Sequence, residues 1–126
     1  APTDAQRDAM VTDVLDELAK IAQRRGLRYT IEESMRAAAA PSAPALQHHW
    51  ERAVDALGVP VFRMPSGAGH DAMKLHEIMP QAMLFTRGQN SGISHNPLES
   101  TTNNDIQLTV DAFTQVLHQL AEETQP

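Results

Sequence analysis

Cysteine is absent from the sequence, which excludes disulfide bonds and thiolate metal ligands. The absence fits a reducing compartment, and we expect a cytoplasmic protein. Aromatic residues make up 4% of the chain, too few for a surface on which bases stack. The formal net charge is −6 and the sequence has no cluster of Lys and Arg, so we expect no nucleic-acid partner. No apolar run approaches the roughly 20 residues that cross a bilayer, so we expect no membrane partner.

Four segments are predicted helices. Three of them carry apolar residues at the three- and four-residue spacing of an amphipathic helix. The predicted segments are residues 4–25, residues 45–57, a short helix over 70–78, and a last helix with Asn103 or Asn104 as its N-cap. Thr3 or Asp4 can cap the first helix, and Gly26 follows the two arginines at its end.

Three further segments are predicted strands. Residues 28–35 alternate polar and apolar side chains, which is typical of a strand with one buried face. Residues 59–62 and 82–85 are short apolar runs that also suit strands. Helices alternating with strands predict an α/β fold of the mixed α+β kind. The connector at residues 36–44 has two prolines and no periodicity, and we place a domain boundary there.

The first candidate loop is Pro-Ser-Gly-Ala-Gly-His-Asp-Ala, residues 65–72. Gly67 and Gly69 permit positive φ and close backbone approach, and the N–H groups at the following helix start favour an anionic or carbonyl ligand. His70 and Asp71 would stand at the mouth of that pocket. The same residues also fit a plain tight turn with Asp71 near the helix N-terminus. A Gly-x-Gly pair alone is a weak signal and not a dinucleotide fingerprint.

The second candidate loop is residues 91–101, which place His95 in a polar segment instead of on an apolar helix face. A histidine in such a loop can bind a metal or move a proton. Glu99, four residues on, can orient its second ring nitrogen. A catalytic zinc site needs three protein ligands, and this chain offers one good candidate, so the other ligands of any such site must come from elsewhere. The remaining histidines are expected to have no site role: His48, His49, His76 and His118.

These two loops carry a family resemblance. In order and spacing, RMPSGAGHDA (63–72), MLF (83–85) and GISHNPLEST (92–101) resemble the closing part of N-carbamoyl-L-amino-acid hydrolases, allantoate amidohydrolases and β-ureidopropionases. The resemblance covers essentially the whole chain. It implies the hydantoinase/carbamoylase type of the dinuclear-zinc peptidase superfamily. It also implies that residues 1–38 end a lid domain that dimerises and that residues 39–126 are the C-terminal part of a metal-dependent catalytic domain.

The resemblance also implies roles for particular residues. His95 would be the last metal ligand in the chain, Gly69, His70 and Asp71 would help form the substrate pocket, and Glu99 would support the metal ligand. In such enzymes two divalent metal ions (zinc, sometimes manganese or cobalt) share a water that an upstream Glu deprotonates, and the hydroxide attacks a ureido or amide carbonyl.

The family's other metal ligands, its catalytic Glu and the lid residues that hold the substrate carboxylate have no counterpart here. No catalytic residue is therefore expected within the 126 residues, and we expect the chain alone to be inactive. The implied partners are a small ureido or N-carbamoyl acid substrate, the remainder of a parent chain, and a second copy bound through the lid.

Two other hypotheses stay open at this point. The chain can be a non-catalytic module that kept the lid helix for protein association, with the apolar stripe from Val11 to Ile21 as its contact surface. It can also belong to a peptidase or acylase relative that has the same metal site and cleaves another bond.

Overall fold

The computed structural model describes residues 1–123, and all regular structure in this range is helical. The elements are α1, Asp4–Arg25; α2, Pro44–Ala56; α3, Ala72–Leu75; a single 3₁₀ turn, Asn90–Gly92; and α4, Asn103–Glu123. None of the helices described is long and apolar enough to span a membrane. The chain divides into two compact units. The first unit is Ala1–Pro41 with Met64–Met79, and the second is Ser42–Arg63 with the described chain from Pro80 onward.

The predicted α/β fold is wrong. Residues 28–35, 59–62 and 82–85 lie in irregular segments, and no strand occurs between residues 1 and 123. A strand is stable only when its N–H and C=O groups pair with a neighbouring strand. The side-chain pattern in these segments indicates which residues favour burial, but it does not supply a partner. In the described range none of the three segments has one, so the fold is helical.

The first unit is built on α1, whose predicted bounds are confirmed. The Thr3 side chain accepts a hydrogen bond from the N–H of Gln6 and caps the helix, while Gly26 ends it with φ 65°. A left-handed φ costs glycine little, so the helix stops where the glycine stands. Only Ala22 of α1 is buried, and the apolar stripe is exposed, with Val14 66% accessible. The face that should pack is therefore uncovered within the described residues.

Charged side chains tie the segment after α1 back to the start of that helix. Asp4 accepts a hydrogen bond from the N–H of Ala39 at 2.8 Å, and Arg36 lies 3.0 Å from Asp8. Arg36 also forms a bidentate pair with Glu33 at 2.7 and 2.9 Å. The hydrogen bond and charge of Arg36 lower the pKa of Glu33. These pairs lie at the surface, so they specify the path of the segment more than they stabilise it.

The second unit has its core where α2 packs against α4. Ala53, Ala112 and Val116 are its buried residues. Ala53 is completely inaccessible, so the two helices approach closely at this point. Beside this contact the rings of Trp50 and Phe113 stack with centroids 5.9 Å apart. Small residues at the crossing fix the α2–α4 distance.

A buried histidine joins the same two helices. His49 on α2 is 4% accessible, and its Nε2 lies 3.2 Å from a carboxylate oxygen of Glu123 on α4. Its Nδ1 lies 2.8 Å from Nη2 of Arg52 and 2.9 Å from Oε1 of Gln119. The expectation that His49 has no site role is compatible with this position, because its contacts link two helices.

The domain boundary after residue 38 stays a prediction. The two compact units describe which residues contact one another, and they do not decide which part belongs to a lid and which to a catalytic domain. The last residues of the predicted catalytic segment 39–126, residues 124–126, lie outside the described residues.

Candidate functional site

The loop that carries His95 is closed at its base by hydrogen bonds between its two ends. Thr101 Oγ1 donates to the carbonyl of Arg87 at 2.7 Å, and the N–H of Gln89 donates to the carbonyl of Ser100 at 2.8 Å. The Ser100 hydroxyl also donates to Oε1 of Gln89 at 3.0 Å. Asn90 Nδ2 donates to the carbonyl of Leu98 at 2.7 Å. A loop whose ends meet and whose own side chains fill it is an Ω-type loop, a class that is often functional.

Unusual backbone conformations occur inside this loop. Asn90, Ser91 and Gly92 have φ values of 51°, 62° and 71°. A Cβ on Gly88 would lie 3.3 Å from Cα of Gly92, so a side chain at position 88 would force the backbone there to shift. Non-glycine residues with positive φ carry strain that the surrounding contacts must offset, and such residues are common at functional sites.

His95 is the third non-glycine residue with positive φ, at 55°. Its backbone N–H donates to Oε2 of Glu99 at 2.7 Å, and the Ser94 hydroxyl lies 3.4 Å from Oε1 of the same carboxylate. An ionised acceptor makes such a hydrogen bond short and strong. Glu99 therefore holds His95 through the backbone in its left-handed conformation, and the His95 side chain is exposed.

The loop ends in the N-cap of α4, and this cap differs from the prediction. The cap is Thr102, not Asn103 or Asn104. Thr102 Oγ1 accepts from the N–H of Asp105 at 3.0 Å and donates to the Asp105 carboxylate at 2.6 Å. Asp105 also lies 3.5 Å from Nε of Arg87 at the other end of the loop. This capping arrangement therefore anchors both ends of the loop to α4.

The other predicted loop lies in the first unit. His70 Nε2 lies 2.8 Å from the hydroxyl oxygen of Ser66, which also accepts from the N–H of Ala68 at 3.2 Å. The carbonyl of His70 accepts from the N–H of Met73 at 2.9 Å. The side chain of His70 is exposed and that of Ser66 is half-buried. Sequence reasoning missed Ser66, although its hydroxyl four residues before a histidine was the available signal.

Gly69 and Asp71 take ordinary conformations. Positive φ is confined to Gly26, Gly58 and Gly92 among the described glycines, so the left-handed φ that the Gly-x-Gly pair permits is not used. A Cβ on Gly69 would meet Sδ of Met73 at 3.7 Å, an ordinary contact. Asp71 stands before α3, and its carbonyl accepts from two N–H groups of that helix. The substrate-pocket role of Gly69, His70 and Asp71 stays a prediction.

The structure brings His95 and Glu99 together in the second unit, and Gly69, His70 and Asp71 in the first. No group of three or more His, Asp or Glu side chains in the described part of the chain could hold a metal ion. Residues 1–123 therefore cannot complete a dinuclear centre by themselves, and such a centre needs further ligands from outside them. No reaction step through a metal can be built from residues 1–123.

An apolar groove of about 450 Å³ opens on the second unit, and none of the predicted site residues lines it. Trp50, Met83, Leu84, Val110 and Phe113 line it together with two threonines. None of the lining residues ionises, so the groove offers no acid or base for catalysis. We interpret it as a packing surface.

Comparison with known proteins identifies a family and several relatives of this chain. Residues 2–119 match the model of peptidase family M20/M25/M40. The chain is similar to the N-carbamoyl-L-amino acid amidohydrolase of Geobacillus stearothermophilus, with 36% identity over 81% of this chain and 25% of that protein. It is similar to the allantoate amidohydrolase of Bacillus subtilis (strain 168), with 35% identity over 80% of this chain and 24% of that protein.

A plant protein is similar to this chain to about the same degree. The allantoate deiminase of Arabidopsis thaliana is 33% identical over 82% of this chain and 21% of its own length. The chain thus spans about a quarter of the length of the curated relatives it matches. No solved structure matches it. Because the family model covers residues 2–119 of 126, the chain belongs to peptidase family M20/M25/M40.

Proposed function

We propose that this chain is the C-terminal part of a metal-dependent amidohydrolase that cleaves linear N-carbamoyl or ureido acids. The observation that carries the proposal is the closed loop 87–101, in which Glu99 holds His95 in a left-handed conformation. This strained, exposed histidine lies in the GISHNPLEST segment that resembles the carbamoylases. The relatives named as amidohydrolases of N-carbamoyl-L-amino acids and allantoate support the substrate class.

The exposed surface supports a larger parent protein. The accessible area is 10084 Å², whereas a folded monomer of this mass exposes about 6,600 Å². Counting the two units as separate small domains raises the expected area only to about 8,000 Å². The buried apolar side chains of the described residues are three alanines and Val116, while Met10, Val14 and Phe113 are more than half exposed. This apolar surface is what the rest of an enzyme would cover.

In the proposed enzyme His95 supplies one ligand of a two-metal centre, and the remaining ligands and the catalytic base come from outside this chain. A bound divalent ion would lower the pKa of a water and so supply the nucleophile. The part of this chain is to hold His95 through Glu99 and to offer His70, with Gly69 and Asp71, to the substrate. The same proposal includes a cytoplasmic location and a homodimer formed through the lid that residues 1–38 would end.

The proposal is tested by isolating the protein from its own cells with an antibody raised against this chain. We expect a mass several times 13.8 kDa and hydrolysis of allantoate or N-carbamoyl-L-amino acids, measured as released ammonia or amino acid. The purified 126-residue chain is the control and should be inactive. A native mass near that of the chain would overturn the proposal.

Two substitutions in the isolated parent enzyme separate the proposed roles. His95→Ala should lower metal content and activity together, because it removes a ligand. The matched control is His118→Ala, which changes an exposed histidine on α4 and should change neither. His70→Ala should weaken substrate binding and leave the metal in place. Full metal occupancy in His95→Ala would refute the ligand assignment.

The exposed face of α1 favours a second candidate, a non-catalytic association module. Met10, Val11, Val14 and Leu15 are between 36% and 66% accessible on this face. Two results together would favour the module. The first is a tight self-associated state of the isolated chain in sedimentation experiments, which Val14→Glu abolishes. The second is a polypeptide mass near that of the chain when the protein is isolated from its own cells. A peptidase or acylase parent would instead appear in the substrate assay as cleavage of peptides or N-acyl amino acids.

A further inference from the structure

The imidazole of His49 lies between α2 and α4 with polar partners at both ring nitrogens. His49 is 4% accessible, and its Nε2 lies 3.2 Å from Oε2 of Glu123. Its Nδ1 lies 2.8 Å from Nη2 of Arg52 and 2.9 Å from Oε1 of Gln119. Because little water can reach a ring this deeply buried, its hydrogen bonds must come from these three side chains.

The two neighbours of Nδ1 have opposite hydrogen-bonding roles. A guanidinium nitrogen only donates, so Arg52 can only donate to Nδ1. Gln119 presents its oxygen, because the same atom accepts from Nε of Arg52 at 3.1 Å. That oxygen can only accept from Nδ1. Since Nδ1 either carries a proton or does not, it can bond only one of the two neighbours at a time.

The carboxylate of Glu123 decides where the neutral ring carries its proton. An ionised carboxylate only accepts, so Nε2 carries a proton when it bonds Glu123. In the neutral ring Nδ1 is then unprotonated and accepts from Arg52. The other neutral tautomer would place a lone pair against Glu123 and an N–H against Arg52, which are two unfavourable contacts.

A second proton on the ring changes the partner of Nδ1. An imidazolium donates from both nitrogens, so Nε2 keeps Glu123 and Nδ1 donates to Gln119. Nη2 of Arg52 then faces an N–H group and a like charge at 2.8 Å, and it has to move. The Arg52 side chain is 46% accessible, and its Nη2 already lies 3.8 Å from Oε1 of Glu123. Arg52 therefore has both the room to move and a carboxylate to receive it.

The charged groups that contact His49 in the described part of the chain come one from each helix, Arg52 from α2 and Glu123 from α4. The adjacent His48 lies 3.9 Å from Glu51 and does not bond His49. The positive charge of Arg52 favours the neutral ring, and the negative charge of Glu123 favours the imidazolium. The two forms of the ring are therefore each supported by a group already in place.

We propose that His49 is a proton-controlled switch at the α2–α4 contact, which bonds Arg52 when neutral and Gln119 when charged. Its output is the position of Arg52, which lines a polar groove together with Glu122 and Glu123. Protonation releases the guanidinium toward these carboxylates and so changes the charge distribution of the groove. The switch does not depend on the proposed amidohydrolase activity.

The exchange of partners is tested by NMR of the 126-residue chain between about pH 5 and pH 9, where histidine changes charge. ¹⁵N shifts of the ring report the proton on each nitrogen. Hydrogen exchange of the Arg52 guanidinium, relative to its intrinsic rate at each pH, reports the hydrogen bonds of Arg52. We expect His49 as the Nε2–H form at about pH 9 and about fivefold lower protection of Arg52 once the ring gains its second proton, the effect of one hydrogen bond.

Two histidine variants define this result. His49→Gln cannot gain a proton and should make the protection of Arg52 independent of pH in this range. His118→Gln changes an exposed histidine on α4, and it should leave the loss of protection as it is in the unmodified chain. An Nδ1–H ring at about pH 9 or a ring still neutral at about pH 5 would overturn the proposal. Unchanged protection of Arg52 while the ring gains its proton would overturn it as well.

Two further variants keep the histidine and test the same exchange if His49→Gln does not fold. Arg52→Met removes the donor to the neutral ring and should raise the pH at which His49 gains its second proton. Gln119→Met removes the acceptor of the charged ring and should lower that pH, each by about 0.5 to 1 pH unit. Shifts in the same direction, or no shift in Gln119→Met, would refute the exchange of partners.

Discussion

The hydrogen bond from His95 to Glu99 is expected to control the stability of the loop that carries His95. Glu99→Ala removes the carboxylate that accepts the backbone N–H of His95 at 2.7 Å. Hydrogen bonds to ionised groups contribute about 1.5–3 kcal/mol, but this one is exposed, and solvent reduces it to about 1 kcal/mol. The left-handed φ of His95 costs on the order of 1 kcal/mol, which this hydrogen bond helps the loop-closing hydrogen bonds to offset. Removing the acceptor should therefore let the loop open.

Hydrogen exchange of the His95 amide measures this opening in the isolated chain. A loss of about 1 kcal/mol corresponds to roughly fivefold faster exchange, since 1.4 kcal/mol is tenfold. Glu99→Gln keeps an acceptor oxygen without the charge and should fall between Glu99→Ala and the unmodified chain. Glu122→Ala, an exposed carboxylate on α4, is the matched control and should leave the amide unaffected.

Exchange rates in Glu99→Ala equal to those of the unmodified chain would refute the argument, because the carboxylate would then contribute nothing to the left-handed backbone. Equal acceleration in the Glu122 control would refute it as well, since the effect would then reflect net charge. In the proposed parent enzyme the same substitution should lower metal affinity about 10- to 100-fold, the usual cost of losing a group that orients a ligand.

Three further predictions concern the second unit. Ala53→Leu adds three carbons where no space is accessible and should destabilise the chain by about 1–3 kcal/mol, seen as a lower melting temperature by circular dichroism; the exposed Ala45→Leu should melt near the unmodified chain. Thr102→Ala removes the cap of α4 and should cost about 1 kcal/mol in the same melts; Thr102→Ser should restore most of it. The hydrogen bond from Arg63 lowers the pKa of Glu51, so the stabilisation from this ion pair is full above the ordinary value of 4.5 and is lost as the pH falls through the lowered pKa. The difference in melting temperature between the unmodified chain and Glu51→Gln should therefore shrink as the pH is lowered below 4.5, and a difference that does not change with pH would contradict the assignment.

The helices were predictable because their signals are local. Thr3 and Gly26 act within one turn of the helix they bound, so α1 begins and ends as predicted. The N-cap of α4 was misplaced by one or two residues because Asn103 and Asn104 are good caps in isolation. The Thr102 hydroxyl accepts from the N–H of Asp105 and donates to the carboxylate of the same residue, and this pair of hydrogen bonds fixes the cap at Thr102.

The strands were not predictable in this way because pairing is not local. Alternation over residues 28–35 constrains which face of a strand would be buried, but the backbone hydrogen bonds must come from another segment. The left-handed φ of His95 also escaped prediction. Histidine adopts this region more often than most residues, but the cause here is Glu99, whose role becomes clear only once the loop is closed.

Both candidate histidines are held by contacts that span four residues, Ser66 with His70 and Glu99 with His95. The His95 loop is also anchored to α4 through Asp105, and α4 supplies Ala112 and Val116 to the core that Ala53 fills. Ala53→Leu should therefore lower the melting temperature and also speed the exchange of the His95 amide, whereas Glu99→Ala should speed that exchange with little change in the melting temperature. If Ala53→Leu left the exchange of the His95 amide unchanged, the loop would hold its conformation without the core, and its anchor on α4 could not be what supports it.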